Sequence, residues 1–107
     1  MTPSTINVLT KQPGCMDRER ILPNTLEAFQ ETVGGYIECI TIRRPEGRLV
    51  IVCDEEGRIK GKEPNCAISG ISFCGPIIVC GERGEEFADV PVDIASMSKI
   101  TEEAQVL

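Results

Sequence analysis

The chain has 107 residues, 17 acidic against 11 basic with no His, for a formal charge of -6; 41% of it is apolar. That length admits one domain, residues 1–107, built on one modest core. The negative balance opposes non-specific binding to nucleic acid or to an anionic membrane, so neither is expected as a partner.

The amino terminus, Met1-Thr2-Pro3-Ser4-Thr5, carries no basic region followed by an apolar run, and no window reaches transmembrane length. A cytoplasmic protein is expected. Six cysteines, Cys15, Cys39, Cys53, Cys66, Cys74 and Cys80, are then expected to stay thiols. With only Phe29, Tyr36, Phe73 and Phe87 aromatic, the core falls mainly to Ile, Val, Leu, Cys and Met, a β-prone set.

Ile6–Leu9 is a short apolar run, and Lys11-Gln12-Pro13-Gly14 turns the chain back into Met16–Leu22 as a hairpin. Asn24 is placed to cap a helix over about 25–33, with Glu27 as the second half of a capping box. Leu26, Phe29 and Val33 form its apolar stripe, and Gly34-Gly35 stops it. Tyr36–Ile42 alternates as a strand. Across Arg43-Arg44-Pro45-Glu46-Gly47 its partner Leu49–Cys53 is a continuous apolar run, as in a strand buried on both faces. Asp54-Glu55-Glu56-Gly57 reads as an acidic turn leading to Arg58-Ile59-Lys60, a polar edge strand.

From Gly61 to Ser72 the pattern breaks, and a loop with one helical turn near Asn65–Ile68 is expected. Pro76–Cys80 is another apolar strand, followed by a solvated loop over Gly81–Glu86. Ile94, Met97 and Ile100 recur at helical spacing after Pro91, giving a carboxy-terminal helix. The sum is an α+β domain: a mostly antiparallel sheet of five or six strands, one packed helix, and one helix at the end.

Little in the sequence points to catalysis. Cys39, Cys53 and Cys80 sit inside apolar strands as core residues, while Cys15 and Cys66 are the expected exposed thiols. The cysteine spacing lacks the close pairs of a zinc site, and no phosphate loop is present, so no metal or cofactor is expected. With no His to activate a thiol, an enzyme is the least favoured class.

Gly34-Gly35-Tyr36-Ile37-Glu38, Cys53–Gly61, Pro64-Asn65 and Gly75–Gly81 together resemble a family of small proteins known as domain of unknown function 3846. The resemblance implies a setting rather than a chemistry: phages and conjugative elements of anaerobic Gram-positive bacteria, whose accessory proteins often blunt host defence in the bacterial cytoplasm.

Arg43, Arg44 and Arg48 flank one hairpin, and Arg58, Lys60 and Lys62 follow the next turn, so a convergent anion-binding patch is a candidate. The expectation is a non-catalytic binding protein that sequesters a small nucleotide-derived signal. Arg43, Arg44, Arg48, Arg58 and Lys60 supply charge, Asn65 reads a base or ribose edge, and Tyr36 or Phe73 stacks on a ring. So small a chain has little concave surface, which favours a homo-oligomeric site, with the Arg58–Lys60 edge as the route to pairing. The alternative is an acidic inhibitor that binds a host nuclease, polymerase or restriction component.

Overall fold

The computed structural model describes residues 4–45 and 47–105, with side chains described through Thr101; Glu46, expected in a connection, lies outside the described residues. In chain order the elements are β1 (Thr5–Lys11), β2 (Arg18–Pro23), α1 (Leu26–Val33), β3 (Ile37–Arg44), β4 (Gly47–Asp54), β5 (Pro64–Ile68), β6 (Ile71–Cys74), β7 (Ile77–Arg83), β8 (Glu86–Ala88) and α2 (Ile94–Gln105). The main sheet has six strands in the order β2-β1-β7-β4-β3, with β8 paired to β7, and β5-β6 form a separate hairpin. Every pairing is antiparallel. The architecture is α+β.

The apolar runs of β4 and β7 follow from covering both faces of the sheet. On one face α1 lays Phe29 and Val33 over Val50, Val52, Ile78 and Cys80. Phe29 also stacks on Phe87, ring centroids 4.8 Å apart. On the other, Ile68 and Phe73 of the small hairpin and Met97 and Ile100 of α2 cover Leu49, Ile51, Ile77 and Val79.

Several local expectations are corrected. The cap of α1 is Thr25, not Asn24: Thr25 Oγ1 accepts from the Ala28 N–H at 3.1 Å, which moves the helix start one residue on and removes Glu27 from capping-box position. Leu26 is exposed, because as the first helical residue its side chain leans back past the packed turns. Cys39 is exposed on β3, an outer strand, and Cys66 is buried on the core-facing side of the small hairpin.

The largest corrections lie between Asp54 and Cys74. Arg58-Ile59-Lys60 is no edge strand: Lys60 N–H bonds Glu56 O, Gly61 N–H bonds Arg58 O, and Lys62 N–H bonds Gly57 O, winding the chain into successive turns. Asn65–Ile68 is a strand, not a helical turn, since it pairs with β6. Ser69 and Gly70 both take positive φ, 49° and 81°, and Ile68 faces Ile71, so a two-residue turn closes the hairpin. The expected loop after Gly81 is in fact the end of β7 and a short return strand, β8.

A polar knot and a groove beside it

Strand β4 ends on Asp54, whose carboxylate is buried. It accepts from the Glu56 N–H at 2.9 Å, Lys60 Nζ at 2.9 Å and Lys62 Nζ at 2.6 Å. Lys62 also donates to Val33 O at 2.8 Å and Gly34 O at 3.2 Å, neutralising the negative end of α1. Burial would raise the Asp54 pKa, but the Lys62 hydrogen bond, the Glu56 N–H and Lys60 outweigh it and hold the carboxyl at about 2.

The two glycines ahead of β3 fit this knot for different reasons. Gly34 ends α1 at φ 79°, donating to Gln30 O. A Cβ on Gly35 would fall 2.7 Å from the Asp54 carboxylate, so only glycine lets the chain pass. Nearby, Asn65 Nδ2 donates to Lys11 O and Gly75 O, and its Oδ1 accepts from Lys11 Nζ, each at 2.8 Å. That one amide ties β1, β5 and the approach to β7.

Next to the knot a groove of about 400 Å³ opens between β3, the turns after β4 and β6. Ile40 and the buried Phe73 make its apolar floor, Ile59 and Ile71 its flanks, and Glu38, Glu55 and Arg58 its rim. Arg58 donates to Ser72 O at 3.2 Å, bracing the turn against β6. Cys53 also lines the groove and donates to Glu38 O at 3.7 Å. Burial, then the charge of Glu38 and its other neighbours, pushes that thiol up to about 11. It is a neutral wall at ordinary pH rather than a nucleophile.

Larger clefts lie elsewhere, two of them well above it in volume. One of about 690 Å³ runs between β1, β2 and the start of α2, and one of about 600 Å³ is bounded by Arg48, Glu82, Arg83 and Phe87. Among the described residues, no group of three or more His, Cys, Asp or Glu is arranged to hold a metal ion.

The structure divides the expected site residues between the two ends of the β3–β4 ladder. Arg58 and Phe73 share the groove, Phe73 as floor with no free ring face. Lys60 belongs to the Asp54 knot, and Asn65 has both amide atoms engaged in the backbone tie. Tyr36 is exposed just before β3, its carbonyl accepting from the Glu55 N–H. Arg43 faces Arg48 and Arg44 faces Gly47 at the far end of the ladder. Strand geometry puts that end about 20–24 Å away. Arg48 is ion-paired there to Glu82 at 2.9 Å.

Sequence reasoning placed Lys62 among the basic residues of a surface patch and missed its pairing with Asp54, the burial of Asp54 and the part played by Ile59 and Ile71. The spacing of Asp54, Lys60 and Lys62 around glycines was an available signal for an organised turn.

Across its described residues no helix is long and apolar enough to cross a membrane. No curated protein and no solved structure matches the chain. The family described as Domain of unknown function (DUF3846) matches residues 6–105. The glycine pair, the Asp54 turn, Asn65 and Gly75, gathered around one knot, are thus features of a chain that belongs to the Domain of unknown function (DUF3846) family.

Proposed function

We propose that this protein is a non-catalytic binding protein of a phage or mobile element, acting in the host cytoplasm against defence by sequestering a small nucleotide-derived signal. The observation that supports this reading is the groove beside the Asp54 knot: about 400 Å³, an apolar floor of Ile40 and Phe73, and an exposed guanidinium, Arg58, at its rim. That volume falls in the range of small-molecule sites. Ile59 and Ile71 offer apolar contact to a base, and Arg58 offers paired donors to a phosphate. The knot holds the groove's wall rigid, which lowers the ordering cost of binding.

A second reading is the acidic inhibitor of a host nuclease, polymerase or restriction component. It is favoured by the internal pairing of Lys60 and Lys62 with Asp54, which leaves the rest of the surface more acidic than the composition suggests.

A thermal-shift screen against cyclic mononucleotides, cyclic dinucleotides and ADP-ribose derivatives tests the first reading. A saturable rise in melting temperature with the ligand recovered unchanged is expected. Recovery of product would make the protein an enzyme, and no shift across the panel would transfer weight to the inhibitor.

A further inference from the structure

Strand β3 is an outer strand of the main sheet, and the ladder to β4 is regular through all eight of its residues. The opposite outer strand, β2, is protected by charge at Arg18, Glu19 and Arg20 and by Pro23. On β3 the run Cys39-Ile40-Thr41-Ile42 carries no charge and no proline, and Cys39 and Thr41 are exposed.

The direction of its free backbone groups is fixed. Tyr36 O accepts from the Glu55 N–H, and paired residues alternate between bonded and non-bonded positions along an antiparallel ladder. The even-numbered residues of β3 therefore address β4. Ile37, Cys39, Thr41 and Arg43 direct their N–H and C=O outward.

We propose that this edge pairs with β3 of a second copy of the chain, antiparallel, about a two-fold axis through Thr41. Outward groups must meet outward groups, so a symmetric pairing sets odd residues against odd and even against even. The register centred on Thr41 sets Glu38 opposite the partner's Arg44 and Ile40 opposite the partner's Ile42, each twice by symmetry. Both are non-bonded pairs, in which side chains come closest. A register centred on Ile40 would leave Glu38 facing the partner's Ile42 with no opposite charge.

This pairing also bears on the groove. The Arg43–Arg48 end of each ladder is far from Arg58 of its own chain, but antiparallel pairing brings the partner's Arg44 beside Glu38, which lines the groove. The two ends of the basic set then meet across the interface. The link to a bound ligand rests on the proposed function; the strand pairing does not.

Sedimentation of the full chain over a concentration series, with circular dichroism to confirm folding, tests the pairing. The expected species is a dimer. Glu38→Arg should weaken it at least about tenfold, because like charges then face each other twice, and the double change Glu38→Arg with Arg44→Glu should restore it. In a Cys39→Ser background, Thr41→Cys should give an oxidised covalent dimer, since directly opposed strand residues fall within disulfide reach. A monomer at every concentration, a dimer insensitive to Glu38→Arg, or cross-linking through Ile40→Cys in place of Thr41→Cys would each overturn the proposal. A dimer of this register that binds no nucleotide would leave the pairing standing and remove only the ligand reading.

Discussion

Lys62 places its ammonium 2.6 Å from the Asp54 carboxylate while donating to the last carbonyls of α1, so one side chain joins the end of β4 to the end of the helix. Asp54→Asn would leave both Lys60 and Lys62 without their counter-charge. A loss of roughly 2 kcal/mol is expected, below the cost of breaking a fully buried pair because Lys60 is partly exposed and screened. The pH dependence has a definite sign. The folded pKa, about 2, lies below the ordinary 3.8, so the contribution is complete above about pH 4 and is lost as pH falls towards 2. Urea melts of wild type and variant should differ at pH 6 and converge on acidification.

Gly35→Ala should be more harmful than Gly61→Ala. At Gly35 the new methyl meets the Asp54 carboxylate at 2.7 Å, whereas at Gly61 it meets open space and suffers only from φ 73°. Losses of about 1–3 kcal/mol and about 1 kcal/mol are expected. Only Gly35→Ala should also blunt the acid transition assigned to Asp54, which separates displacement of the knot from simple backbone strain.

Thr25→Ala should cost about 1 kcal/mol by removing the cap of α1. Asn24→Ala should leave the helix unaffected, since the cap is Thr25 and the Asn24 Nδ2 lies buried without a hydrogen-bond partner among the described residues. Chemical denaturation of the two variants side by side checks the assignment.

Asp17 is the opposite case to Asp54. It is buried, its Oδ1 has no hydrogen-bond partner among the described residues, and burial raises its pKa above 3.8 despite Lys11 nearby. A raised folded pKa means that the ionised form costs stability at neutral pH, and that the cost disappears below the unfolded value. Asp17→Asn should therefore raise the melting temperature at pH 7, with the gain fading as pH falls through the raised folded value and gone below about 4.

The framework of the fold was legible because it rests on local signals. Continuous apolar runs marked β4 and β7 as buried on both faces, Gly34 marked the end of α1, and helical spacing of Ile94, Met97 and Ile100 marked α2. The small hairpin was hidden because its strands are short and broken by Pro64 and Gly70, although Ser69-Gly70 between apolar pairs is a hairpin signal. Asp54 looked like a surface acid among three because its burial depends on lysines six and eight residues away folding back over it. The basic residues looked convergent because sequence proximity across a hairpin hides the length of the ladder. Arg43 and Arg48 are neighbours, but Arg58 lies beyond the other end of β4.

On the proposed reading, the groove rimmed by Arg58 holds a small anionic ligand without changing it. Calorimetric titration of wild type and Arg58→Glu with the nucleotide that most raises the melting temperature tests it most directly, with chromatography of the ligand afterwards. Saturable binding to wild type, binding weakened at least about tenfold in Arg58→Glu with circular dichroism showing the variant still folded, and ligand recovered intact are predicted. Equal binding by the variant, or a ligand returned in altered form, would contradict the account.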